Sequence, residues 1–308
     1  MSATSNITVK QATGTFDYGI VILNYNSGSA TVSLVDRLLN DIIGSVELIV
    51  VDNASTDNSM DLLSRFKNHS QVKVIQSGKN GGYAFGNNIG IRQAKKDNCL
   101  YVMIMNSDIS ISSSVLKGLL TYMDSSPDVA IASPVLVTPH SEDTYGRKNC
   151  LGKIHSWHNV KPTNLNEPVR VDSIVGACFL VRMSAIDQVG LLPEEYFLNF
   201  EETEWCIRFN RAGYKVVCLP YLRVDHINHG STGQINGLQY YFMKRNLVLF
   251  NRRLASKRQL GWLLIKLIPF GLLQALKRRT FLPLVAYYDG LTGKNRFVDG
   301  GSRYFSSR

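Results

Sequence analysis

Two short stretches place acidic side chains where an apolar run gives way to polar residues. In the first, Tyr101 to Met105 ends abruptly at Asn106-Ser107-Asp108. A carboxylate in that position can hold a divalent cation against a phosphate. It can equally begin a turn, where Asp and Asn are common. In the second, Glu201, Glu202 and Glu204 follow the aromatic run Phe197-Leu198-Asn199-Phe200 and open a predicted helix. Acids near a helix N-terminus are favoured by its dipole. Closely packed carboxylates also raise one another's proton affinity, which suits a general base.

The elements around these residues follow from apolar periodicity. Gly19–Leu23, Val46–Val51, Val72–Ile75 and Tyr101–Met105 are short apolar runs bounded by polar residues, the pattern of strands buried on both faces. Helical stretches separate them at about Ala30 to Asn40, Asn58 to Phe66 and up to Ala94. This alternation predicts right-handed crossovers and a parallel sheet covered on both sides. Ligands of such sheets bind beyond the carboxyl ends of the strands. Three loops emerge there: Asn24–Ser27, Asp52–Asp57 and Asn106–Asp108. The Asn and Asp of the first two can read a ring edge and a sugar, and a nucleotide diphosphate suits the set. Polar residues also simply end strands, although that explains poorly why all three loops are rich in Asn and Asp.

Gly81, Gly82 and Gly86 match neither the GxGxxG spacing nor a GxxxxGK[ST] loop. They are expected to let the backbone approach a ligand closely. Asn87 and Asn88 either cap the following helix or donate to a phosphate. Val129 to Val137, Val175 to Arg182 and Lys215 to Leu219 are further strands, and the polar stretch between Thr138 and Val169 is a surface loop or lid. His155 and His158, within that stretch, lack the companions of a metal site and are expected at the surface.

These motifs carry a resemblance. Val21-Ile22-Leu23-Asn24-Tyr25-Asn26, Val51-Asp52-Asn53-Ala54-Ser55-Thr56-Asp57, Gly81-Gly82-Tyr83-Ala84-Phe85-Gly86-Asn87-Asn88 and Met105-Asn106-Ser107-Asp108, in that order, resemble the family 2 glycosyltransferases. The likeness is strongest to the bacterial rhamnosyltransferase-like branch of surface-polysaccharide synthesis. The resemblance implies an α/β fold of GT-A type: a Rossmann-like, mostly parallel sheet flanked by helices. It also implies a nucleotide-diphosphate sugar donor with Mg2+ or Mn2+. Asp52 and Asn53 would face the pyrimidine, and Asn24, Tyr25 and Asn26 would line the nucleotide pocket. Gly82, Tyr83, Asn87 and Asn88 would lie near the ribose and diphosphate. Asp108 would be the last carboxylate of the family's Asp-x-Asp element, whose first position is here Asn106. Phe200 to Glu204 resembles the family's Glu-Asp-x-Asp motif, with Glu202 aligned to the catalytic base and Glu201 its rival. His226, spaced to Ser231, would stand near the metal, with His229 as alternative. Tyr240 to Asn246 resembles a Tyr-Tyr-x-x-Arg-Asn element in which Arg245 meets phosphate or lies on a helix surface.

The totals agree with an enzyme of this size. The 308 residues, 44% of them hydrophobic, suffice for a large core. Five cysteines without CxxC spacing predict buried, reduced thiols. Met1 to Asp17 forms a polar tail without an apolar signal core. The catalytic domain is expected over residues 18–243 and a basic, amphipathic helical region over 244–308. That region holds 14 Lys and Arg against Asp289 and Asp299, whereas residues 1–243 are near neutral. Leu260 to Leu276 is apolar but broken by Lys266 and Pro269, so attachment to an anionic membrane surface is expected rather than a span. Nucleic acid is disfavoured as the partner, because the cations surround a greasy surface and no nucleic-acid motif accompanies them. A core-covering helix or a homodimer interface is the other use of that surface. The resulting expectation is inverting transfer of a sugar, rhamnose first, from a dTDP- or UDP-sugar to a polyprenyl-diphosphate-linked saccharide at the cytoplasmic face of the bacterial inner membrane. A sugar nucleotidyltransferase or a non-catalytic scaffold are the rivals.

Overall fold

The computed structural model describes residues 17–41, 45–139, 141–227 and 237–297. Elements alternate from the start: β1 (Tyr18–Asn24), α1 (Gly28–Asp41), β2 (Val46–Asp52), α2 (Ser59–Leu63), β3 (Val72–Gln76), α3 (Gly82–Lys96) and β4 (Tyr101–Met105). There follow β5 (Ile109–Ser110), α4 (Ser113–Ser125), β6 (Val129–Val137), β7 (Arg147–Asn149), β8 (Trp157–Asn159), β9 (Val169–Arg170) and β10 (Cys178–Arg182). Then come α5 (Met183–Val189), α6 (Glu201–Arg211), β11 (Lys215–His226), α7 (Leu238–Leu254), α8 (Lys257–Arg278) and α9 (Leu282–Thr292).

The main sheet runs β3-β2-β1-β4-β10-β6-β11-β5, with β9 paired to β11. Its first four strands are parallel, as the alternation requires. The second half departs from the expected parallel order. β10 lies antiparallel between β4 and β6, and the end of β11 turns antiparallel to β5. The mixture brings residues distant in sequence to the ends of β4.

Strand residues sort alternately into two apolar layers. Ile20, Ile22, Leu48, Val50, Met103 and Met105 face one core cluster. Val21, Ile49, Val51, Val102 and Ile104 face the other. This is the period-two geometry of a strand covered on both faces. Each such side chain contributes about 1.5–3 kcal/mol on burial. Gly86 and Gly90 of α3 meet Leu23 and Val21 of β1. A Cβ on Gly90 would come within 2.3 Å of Val21, and one on Gly86 within 2.2 Å of Leu23. These glycines therefore bring a helix onto the sheet.

The stretch expected as a lid holds the hairpin β7–β8, and His155 and His158 are exposed. The strand expected from Val175 begins only at Cys178; Val175 to Ala177 is a turn closed by Ala177 N donating to Val175 O. Cys99, Cys178, Cys206 and Cys218 are buried and all five cysteines are free thiols. Pro269 does not interrupt α8, a 22-residue helix long and apolar enough, by length and composition, to cross a bilayer. It buries only Leu263, Leu267, Gly271 and Ala275. That i, i+4 stripe packs on α7 and α9.

Candidate active site

The loops ending β1 and β2 are joined by their own side chains. Asn24, fully buried, donates from Nδ2 to Asp52 Oδ1 (2.8 Å) and to Ser55 Oγ (3.0 Å). Its Oδ1 accepts from Thr31 Oγ1 (2.7 Å) and Ser27 Oγ (3.1 Å). The Asp52 carboxylate also accepts from the Ser55 amide and hydroxyl. Asn26, exposed at φ 50°, accepts from the Thr56 amide at 2.8 Å. Tyr25 beside it is half-buried. Asn53 donates to Asn80 Oδ1 and Gly82 O. The carbonyl oxygens of the Asn53 and Asn87 side chains are buried without a hydrogen-bond partner.

At the end of β4, Asn106 N donates to Ala177 O (2.9 Å). The β5–β11 pairing sets Ile109 opposite His226, and Arg37 donates to Ile109 O and Ser110 Oγ. Asp108 Oδ2 and His226 Nε2 thereby lie 3.3 Å apart. His229 and Ser231 fall outside the described residues. One carboxylate and one imidazole form a donor set that a hard divalent cation completes with phosphate oxygens and water. Among the described residues, no group of three or more His, Cys, Asp and Glu side chains could hold an ion by itself.

The acidic motif is held under backbone strain. Phe197, Asn199 and Phe200 adopt φ of 67°, 67° and 80°, each costing on the order of 1–3 kcal/mol. Phe197 O receives the Tyr83 amide at 2.8 Å. A Cβ on Gly82, at φ 88°, would come within 2.2 Å of that oxygen. Gly82 therefore admits another backbone segment, where a ligand was expected. Asn246 Nδ2 reaches the carbonyl oxygens of Tyr196 (3.0 Å), Leu198 (2.7 Å) and Asn199 (3.0 Å) and so braces the whole strained turn.

Glu201 and Glu202 emerge buried at the start of α6. Burial, then the charge of Glu202, holds the Glu201 carboxyl well above the usual carboxylate range. Burial raises Glu202 as well, and Arg147 opposes it most strongly. Arg147 Nη1 lies 3.3 Å from Glu202 Oε1. The guanidinium stacks 4.2 Å from the centre of the Trp157 ring, which meets Phe200 edge-on at 5.1 Å. Gly176 closes the opposite side: a Cβ there would lie 3.4 Å from Glu202 Cγ and 3.2 Å from Tyr83 Oη. The Tyr83 hydroxyl donates to Gly176 O at 2.5 Å. The Val175–Ala177 turn thus touches both the end of β4 and Glu202.

Several expected or candidate residues serve elsewhere. Arg245 is buried rather than on a helix surface. Its guanidinium donates to Lys294 O (2.7 Å), Glu195 O (3.0 Å) and Asn246 Oδ1 (2.7 Å). Asn88 spans to Leu192 O, Leu192 N and Glu194 Oε1, fastening α3 to the chain before α6. Glu204 is gripped bidentately by Arg253 at 2.8 Å and by the Tyr196 hydroxyl at 2.5 Å, which ties α6 to α7. Arg147, Trp157 and Asn246 are the participants that sequence reasoning missed. Asn246 had a signal in the Tyr-Tyr-x-x-Arg-Asn pattern. Arg147 had none, being one cation in a polar stretch.

The family model for glycosyl transferase family 2 matches residues 19–190. The chain belongs to this family. It is 30% identical over 258 residues to the low-salt glycan biosynthesis hexosyltransferase Agl10 of Haloferax volcanii, covering 78% of this chain and 77% of that protein. It is 27% identical over 271 residues to the dTDP-rhamnosyl transferase RfbF of Shigella flexneri, covering 83% and 88%. It is 24% identical over 241 residues to an N-acetylglucosaminyl-diphospho-decaprenol L-rhamnosyltransferase of Mycobacterium tuberculosis, covering 70% and 77%. Among solved structures, TarS of Staphylococcus aureus with UDP-GlcNAc superposes at a TM-score of 0.59, with 15% identity over 93% of this chain and 84% of the other. The mannosyltransferase PcManGT of Pyrobaculum calidifontis, with GDP-Man and Mn2+, gives 0.57 with 13% identity over 95% and 76%. The chain is therefore a glycosyltransferase of GT-A fold, akin to rhamnosyl- and hexosyltransferases of glycan synthesis.

Proposed function

We propose that this glycosyltransferase moves a hexosyl unit, rhamnosyl in the first instance, from a dTDP- or UDP-sugar to a lipid-linked saccharide with inversion. The observation that carries the reading is the Val175–Ala177 turn, with Asn106 bonded to Ala177 and Glu202 beside Gly176. A donor held at the end of β4 then lies one turn away from a buried carboxylate. The pyrimidine and ribose lie against the Asn24–Asn26 and Asp52–Thr56 loops. Asp108 and His226 would hold Mg2+ or Mn2+, which would supply countercharge to the departing diphosphate. Glu202 takes the proton of the acceptor hydroxyl as that oxygen attacks the anomeric carbon, so no covalent enzyme intermediate forms. Arg147 opposes the burial that raises the proton affinity of Glu202, and Glu201 beside it is raised further.

The decaprenol-linked acceptor of the mycobacterial relative and the dTDP-rhamnosyl donor named for RfbF support the choice of substrates. The exposed Trp262, Ile265, Ile268, Leu273 and Leu276 of α8, among Lys266, Lys277 and Arg278, support peripheral attachment to an anionic membrane. The test is thermal stabilisation by a panel of nucleotide sugars with and without Mn2+, followed by transfer assays with the best ligand. dTDP-rhamnose should stabilise most, and more with Mn2+. Indifference to every pyrimidine sugar would refute the proposal.

A further inference from the structure

The junction of α7, α8 and α9 gathers polar groups that lack counterparts. Lys244 of α7 and Arg278 of α8 both lie over the Tyr240 ring, 5.4 and 4.2 Å from its centre. Lys244 also lies 5.2 Å from the centre of Phe270. Neither cation has a carboxylate partner among the described residues. Burial, then the charge of Arg278, pushes the Lys244 ammonium down. The hydroxyls of Tyr240 and Tyr287 are buried without a hydrogen-bond partner, and Tyr287 is only 7% exposed. Burial raises the Tyr287 phenol to about 12, with Tyr240 adding in the same direction.

Two crowded cations and two hydroxyls without acceptors are together complementary to a multiply charged anion with several free oxygens. A phosphodiester has one charge and two such oxygens; a phosphomonoester or diphosphate has more of both. Beside the cluster, Leu272, Leu273, Leu276 and Phe281 are exposed, the last two at 77% and 75%. An apolar surface this open suits the acyl or isoprenoid part of an amphiphile rather than a free sugar nucleotide. We infer that Tyr240, Lys244, Arg278 and Tyr287 bind the diphosphate of a polyprenyl-diphosphate lipid, the carrier of the acceptor. This rests on the lipid-linked acceptor proposed above and assigns it a place on the chain.

The experiment is co-sedimentation of the full chain with three sets of phosphatidylcholine vesicles: unmodified, with phosphatidylglycerol, and with a polyprenyl diphosphate at matched surface charge. The wild type should bind the polyprenyl-diphosphate vesicles roughly tenfold more tightly than the phosphatidylglycerol vesicles. Tyr287→Phe, which keeps the ring, and Lys244→Gln should each erase that preference while leaving phosphatidylglycerol binding in place. Equal binding to the two charged vesicle sets, or a preference that survives both substitutions, overturns the assignment. Thermal stabilisation by inorganic pyrophosphate that disappears in Tyr287→Phe, together with equal vesicle binding, would reassign the site to a soluble phosphate. Binding is measured without donor or transfer, so failure here and failure of the transferase proposal are separable.

Discussion

The loops that end β1 and β2 and the turn that opens α6 are both polar, yet they treat their polar atoms in opposite ways. In the first region Asn24, Asp52, Ser55 and Thr31 satisfy one another, and no backbone group beyond Asn26 and Ala54 takes a positive φ. In the second, three non-glycine residues sit in the left-handed region, and two buried carboxyls lie side by side with raised proton affinity. The hydrogen-bonded network around Asn24 is a preformed cradle. The strained region is held in place from outside, by Asn246 below and by Arg147 and Trp157 above. Strain and unusual proton affinity therefore gather around the proposed base, and rigidity around the proposed donor loops.

This contrast predicts graded consequences. Asp108→Ala should lower transfer most among the supporting residues, by roughly 10^3-fold, because several kcal/mol of charge stabilisation are lost. Calorimetric titration should show that nucleotide-diphosphate affinity no longer responds to Mn2+; an unaltered response would separate Asp108 from the metal. Asn246→Ala should release three carbonyls at once and lower kcat by about 10–100-fold, with KM for the donor little changed. Asn246→Asp, which cannot donate to those carbonyls, should not restore it.

Arg147→Met should move a pH dependence rather than abolish activity. Burial raises the proton affinity of Glu202, and Arg147 opposes that rise. Without the cation only backbone hydrogen bonds oppose the rise, so a higher pH is needed to ionise the base. The acid limb of kcat/KM should shift to higher pH, with the plateau above it largely kept. A limb that stays in place would remove Arg147 from this role.

The smallest effect on chemistry belongs to the cradle. Asn24→Ala removes a buried amide that makes four hydrogen bonds, and it should cost about 2–4 kcal/mol of stability by chemical denaturation. Donor KM should rise while kcat per folded molecule stays near that of the wild type. A large fall in kcat would show that the two regions are less separate than their bonding suggests.

What could be read from the sequence follows the range of the forces involved. The buried runs of β1, β2 and β4 declare themselves because alternate residues face two cores. The acidic motif declares itself because three carboxyls lie in one helical turn. The antiparallel β10 did not, because its apolar run reads alike in either direction. Gly82 pointed to a close approach but not to Phe197 as the segment that approaches. Arg245 looked like a phosphate ligand because its type fits, whereas its burial and its carbonyl partners depend on where α9 ends. Arg147 lies 55 residues from its partner Glu202, on a hairpin that has no periodic signature.

The most direct measurement is single-turnover transfer by Glu202→Gln, with nucleotide-diphosphate affinity determined on the same preparation. If Glu202 takes the proton, transfer falls by roughly 10^2–10^4-fold while affinity for the nucleotide stays within about twofold, below half a kcal/mol. Transfer at the wild-type rate would contradict the account, and the base would have to be sought elsewhere, first at Glu201.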